Sequence, residues 1–137
     1  MLASVAASIV LVPPGDIDAV RDVLIQDKDI AAVILEPTGA SFGMVPLDGA
    51  FLSALRDLTH QHNVLLIFDE VVTGFRVSPG GAQAHFDVRP DLTALAKILA
   101  GGLPGAAVAG SRDILDALDF DAAPASGREK IQHQGTY

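Results

Sequence analysis

Two stretches constrain this chain more than any other feature: AAVILEP, residues 31–37, and NVLLIFDE, residues 63–70. Each is a continuous apolar run that closes on an acid. A strand with one wet face alternates apolar and polar residues. A run without alternation reads as a strand covered on both faces, the mark of a parallel sheet. Parallel neighbours cannot be joined by a tight hairpin and need a crossover, usually a helix. The sequence supplies one between the two runs. PLDGAFLSALRDLTHQH, residues 46–62, places Phe51, Leu52, Leu55 and Leu58 on one stripe, as an amphipathic helix does.

The same grammar extends in both directions. VPPGDIDAVRDVLIQ, residues 12–26, has Pro-Pro-Gly as punctuation and Asp16 as a helix cap, with Ile17, Val20, Val23 and Leu24 at helical spacing. Residues 8–12 read as a short strand. Beyond residue 70 a glycine-rich loop leads to DLTALAKIL, residues 91–99, a third short apolar element. AGGLPG breaks it. AAVAG, residues 106–110, reads as a fourth strand, and SRDILDALDF, residues 111–120, as a helix capped by Ser111. The expected fold is α/β, a mostly parallel sheet covered by helices. There is no internal repeat and no convincing domain boundary. Polar, loop-like sequence runs to Tyr137, which reads as a piece of a larger domain.

Composition narrows the partners. A formal net charge of −8 and the lack of any basic run argue against a nucleic-acid surface. No cysteine is present, which removes disulfides, thiolate nucleophiles and Cys-ligated zinc; a cytoplasmic location is the compatible expectation. MLASVAASIVLV is apolar but lacks the basic n-region of a secretory signal, and no apolar run has the length of a membrane span. His60, His62, His85 and His133 lack the partners a metal site needs, so no metal is expected. Phe42, Phe51, Phe68 and Phe86 read as core.

The acids at the end of LLIFDE allow several readings. An ordinary strand end that opens a solvated loop is the bland one. An apolar strand followed by Asp-Glu also matches the magnesium-holding segment of phosphate-loop ATPases. That chemistry needs a Gly-rich loop ending in Lys-Ser or Lys-Thr, and Gly101, Gly102, Gly105 and Gly110 are followed by no such lysine. A third reading comes from Lys97, a lone lysine among alanine, leucine and isoleucine directly before Gly-Gly. Its bland reading is a snorkelling side chain with its head in water. Its functional reading is a nucleophilic amine, because an ammonium is costly in apolar surroundings and a neutral amine forms Schiff bases.

Asp69 and Lys97 gain meaning as a pair. Pyridoxal phosphate (PLP) requires a lysine for its aldehyde and a carboxylate that keeps its pyridine nitrogen protonated, so that the cationic ring drains electrons from a substrate carbanion. Both residues fall at expected strand ends on one edge of one sheet, 28 residues apart. That edge is where open α/β sheets bind ligands.

EPTGASFGMVPL, LLIFDEVVTGFRVSPGGAQAHF, RPDLTALAKILAGGLPGAAVAG and HQGTY follow one another in an order that resembles the class III PLP-dependent aminotransferases, above all the glutamate-1-semialdehyde aminomutase branch. The resemblance covers nearly all of residues 31–137, and LVPPGDIDAV before them also fits. It implies a fold type I transferase large domain and PLP as cofactor. It also implies an amino donor or acceptor as substrate, and a homodimer. By resemblance Lys97 is the Schiff-base lysine and proton shuttle, and Asp69 partners the pyridine nitrogen. Val71 packs on the ring face, and Thr136 reaches the cofactor phosphate of the neighbouring subunit. Glu36 lies near the site in relatives. Glu70 holds the following loop and is not a cofactor ligand. Val72 stands where many of these aminotransferases carry Gln and the aminomutases Met, Ala96 replaces a common glycine, and TGASFG departs from the aminomutase pattern. These changes lie on the substrate side, so transfer and mutation both stay open, as does a non-catalytic PLP-binding or interaction remnant. The family's N-terminal segment, upstream phosphate-binding turn and C-terminal domain have no counterpart in residues 1–137. This stretch by itself is therefore expected to bind PLP weakly, because a phosphate needs several donors at once.

Overall fold

The computed structural model describes residues 3–39 and 43–118. After a single helical turn, α1 (Ala3–Ala6), come α2 (Ile17–Gln26), β1 (Ala32–Leu35), β2 (Val45–Pro46), α3 (Gly49–His62) and β3 (Leu65–Asp69). They are followed by α4 (Gly81–Phe86), β4 (Leu92–Leu95), β5 (Ala107–Gly110) and α5 (Arg112–Leu115). The sheet runs in the order β1-β3-β4-β5. β1 pairs with β3 in parallel, and β3 with β4 in parallel, Asp69 lying opposite Ala94. β5 returns antiparallel along β4. The expected α/β architecture with a mostly parallel sheet is the one observed.

The helices start where their caps dictate. Asp16 accepts a hydrogen bond from the Ala19 N–H, and Asp48 accepts from Ala50 and Phe51, satisfying donors that the first helical turn leaves unpaired. α3 ends on Asn63 in the left-handed region at φ 55°, a conformation asparagine tolerates better than most residues. α2 contributes Val20 and Leu24, and α3 contributes Leu52, Leu55 and Leu58. These pack on Leu66 and Phe68 of β3, with Val64 and Val88 completing the core. Because side chains alternate along a strand, Leu66 and Phe68 face the helices and are fully buried, while Leu65 and Ile67 on the other face are half-buried. Leu52→Ala is expected to cost about 2–5 kcal/mol, the usual range for a fully buried leucine, read as a lowered melting temperature of the protein that carries this segment.

Three expectations need correction. The runs were expected to be covered on both faces, yet Ile34 of β1 is 64% exposed; among the described residues the helices α2 and α3 pack on one face only. Residues 8–12 form no strand and leave Ile9, Val10 and Leu11 exposed. Among the described residues the segment pairs with no other strand, and Pro13 and Pro14 after it have no N–H to give. The helix expected over residues 111–120 is shorter: α5 tightens into a 3-10 turn at Asp116–Leu118, and Ser111 makes no side-chain cap. Phe42, His133 and Thr136 lie outside the described residues.

Candidate active site at the carboxyl ends of the central strands

β1, β3 and β4 run the same way, so their carboxyl ends share one edge of the sheet. Glu36 follows β1, Asp69 ends β3, and Lys97 follows β4. Lys97 lies three residues beyond Ala94, the register partner of Asp69, which brings the two residues to adjacent strand ends. The turn that presents Lys97 is unusual. Its backbone is left-handed at φ 49°, a region that a non-glycine residue enters at a cost and that often marks a functional position. A short 3-10 turn, Lys97–Ala100, follows. The lysine side chain is exposed, and its neighbours Ile98 and Leu99 are also at the surface. The apolar surroundings expected from the sequence are therefore not a buried pocket among the described residues. What brings Lys97 to the edge is strand order and the turn.

Asp69 is half-buried, and its Oδ1 accepts the Val71 N–H at 3.0 Å. That bond closes a tight turn directly after the strand and fixes the side chain against its own backbone. No other described hydrogen bond reaches this carboxylate, so its remaining acceptor capacity is open to a cation. Val71 stands two residues on and is half-buried. An open carboxylate and an exposed primary amine on neighbouring strand ends are the donor set that a ring with a protonated nitrogen and an aldehyde requires, so these residues fit PLP.

Glu70 belongs to a different system. It is 1% exposed. Its Oε2 accepts from Thr73 Oγ1 at 3.1 Å and from the Ala82 N–H at 2.6 Å, and its Oε1 accepts from the Gln83 N–H at 3.2 Å and Gln83 Nε2 at 3.4 Å. The loop between β3 and α4 thus closes on this carboxylate, as the sequence reading expected. Thr73, Ala82 and Gln83 are the participants missed in the sequence; the Gly80-Gly81 pair ahead of a helix was the available signal. Among the described residues no group of three His, Asp or Glu is placed to hold a metal ion, and no helix is long and apolar enough to cross a membrane.

Known proteins resemble this chain over most of its length. The aminotransferase class-III family matches residues 15–137. A glutamate-1-semialdehyde 2,1-aminomutase from Nitratidesulfovibrio vulgaris is 51% identical over 109 residues, covering 79% of this chain and 26% of the relative. The same enzyme from Methanocorpusculum labreanum is 46% identical over 134 residues, covering 98% of this chain and 31% of the relative. The chain thus spans about a quarter to a third of the length of these curated relatives. Among solved structures, an omega-transaminase from Sphaerobacter thermophilus superposes with a TM-score of 0.85 at 39% identity, covering 98% of this chain and 30% of that one. A glutamate-1-semialdehyde aminomutase from Pseudomonas aeruginosa PAO1 in complex with PMP gives 0.72 at 32% identity, covering 93% and 27%. With most of its length matched, this chain belongs to the class III aminotransferase family.

Proposed function

We propose that the protein carrying this segment is a PLP-dependent aminotransferase or aminomutase that moves an amino group on an amino acid or amino-aldehyde. The observation that supports this best is the placement of Asp69 and Lys97 on adjacent parallel strands at one sheet edge. PLP, when bound, supplies an electron sink that no protein side chain offers. Lys97 Nζ would hold the cofactor through its aldehyde carbon and would take and return the proton at the substrate carbon. Asp69 would keep the pyridine nitrogen protonated by its charge. By the family resemblance, Val71 would lie on the ring face and Thr136 would serve the phosphate of the neighbouring subunit in a homodimer. Residues 1–137 form part of the large domain in this reading. Both aminomutases and transaminases occur among the relatives, and Val72 and residues 38–43 do not decide between the two activities.

A half-reaction tests the proposal. The full-length protein is loaded with PLP and mixed with glutamate, or with a diamine or amino-aldehyde, without any acceptor. The bound cofactor is expected to convert from its aldehyde to its amine form, and a keto acid or the paired aldehyde to convert it back. Stoichiometric PLP that no amine converts would identify a binding remnant instead.

A further inference from the structure

We infer that Glu70 is a positioning residue for this site: its buried carboxylate locks the following loop to the end of β3 and, through Gln83, reaches β4, and so sets where Asp69, Val71 and Lys97 stand relative to one another. The inference rests on the proposed cofactor chemistry, and it concerns residues outside the set that would touch the cofactor.

A fully buried carboxylate is expensive unless its oxygens are satisfied. Glu70 pairs with no Lys or Arg among the described residues. It is satisfied instead by the four donors already described, two of them backbone N–H groups at the start of α4. All four groups donate, so a carboxylate suits the position and an amide does not: a Gln here would turn its own N–H groups toward at least one of them. The main chain of Glu70 adds two further ties. Its N–H donates to the Ala94 carbonyl at 3.0 Å, and its carbonyl accepts from the Gly74 N–H at 3.0 Å. Gln83 extends the network to β4, where its Nε2 lies 3.4 Å from Oγ1 of the buried Thr93. Ala94 and Thr93 lie three and four residues ahead of Lys97. Asp69 and Val71 are the chain neighbours of Glu70. The Glu70 side chain therefore closes the loop after Asp69, and Gln83 carries that closure to the strand that leads into Lys97.

Gly81 shows how closely the parts meet. Its φ is +71°, and a Cβ built there would fall 2.4 Å from Glu70 Oε2. The carboxylate fills the space that any side chain at residue 81 would need. Gly81→Ala is therefore expected to disturb the same lock from the opposite side, without touching Asp69 or Lys97.

A purely structural role would lower stability and nothing else, so the test compares these variants with Leu52→Ala, a core change remote from the edge. In the full-length protein, PLP affinity, the pH midpoint of the bound cofactor's visible absorbance, kcat and KM are measured beside the melting temperature. Glu70→Ala and Gly81→Ala are expected to weaken PLP about tenfold, the scale of a lost buried charge-assisted hydrogen bond. Both are expected to move the absorbance midpoint and lower kcat while KM for the amino donor holds. Glu70→Gln and Thr73→Val should shift the same readouts less, and they carry the comparison if Glu70→Ala does not fold. Leu52→Ala should lower the melting temperature alone. If the Glu70, Thr73 and Gly81 variants behave like Leu52→Ala, with midpoint and PLP affinity unchanged, the positioning role is wrong while the functional proposal stands. If the unmodified protein binds no PLP, that proposal falls and the inference with it.

Discussion

Lys97→Ala in the full-length protein is expected to abolish covalent capture of PLP and to lower kcat by at least about a thousandfold, the scale of a positioned acid–base group. In the proposed function two jobs fall on this one amine, holding the cofactor and moving the proton, and both would be lost together. Among the described residues no other lysine stands at this edge. The chain has three lysines, Lys28, Lys97 and Lys130. Lys28 follows α2 and donates to the Leu24 carbonyl at 2.8 Å, at the opposite end of β1 from the edge that carries Asp69. Removal of an exposed lysine head should also leave folding nearly unchanged. A large loss of rate with an unshifted melting temperature is therefore the expected signature, checked by steady-state kinetics and thermal denaturation on one preparation. A variant that transaminates normally would remove Lys97 from the mechanism.

Asp69→Ala is expected to keep part of its PLP but to lose about 10²–10³ in kcat, comparable to removing one preorganised electrostatic contact. The logic is differential. The covalent hold through Lys97 survives, whereas the charge that keeps the ring cationic does not, so rate falls further than binding. Asp69→Asn separates charge from geometry. Its carbonyl oxygen can still accept the Val71 N–H, as Oδ1 of the aspartate does at 3.0 Å, so the turn after β3 remains. A loss as deep in the Asn variant as in the Ala variant assigns the effect to charge. Recovery of most of the rate in the Asn variant would mean that Asp69 only shapes the turn.

Much of this arrangement was legible in the sequence because it follows from local chemistry. The capping Asp16 and the helical stripes of residues 12–26 and 46–62 are local signals. The continuous run ending at Asp69 forms a central strand, and strand order with the turn at Lys97 brings that lysine alongside. What escaped depends on packing partners that a sequence does not display. Apolar content made residues 8–12 look like a strand, but a strand exists only with a neighbour to bond. β1 has the composition of a doubly covered strand, yet coverage depends on which elements land on it. Lys97 allowed two readings, a head in water and an amine in apolar surroundings, and it stands exposed in a left-handed turn that the sequence does not display. Glu70 was legible as an acid that holds a loop, whereas its donors at residues 73, 82 and 83 meet only once that loop folds back.

Lys97 is the residue proposed to hold the cofactor. The most direct measurement is borohydride reduction of the PLP-loaded full-length protein, followed by proteolysis and mass mapping of the pyridoxyl label. The account predicts one label per chain, on the peptide that contains Lys97, and none after Lys97→Ala. A label on Lys28, on Lys130 or on any lysine outside this segment, or a loaded protein that takes no label, would contradict it.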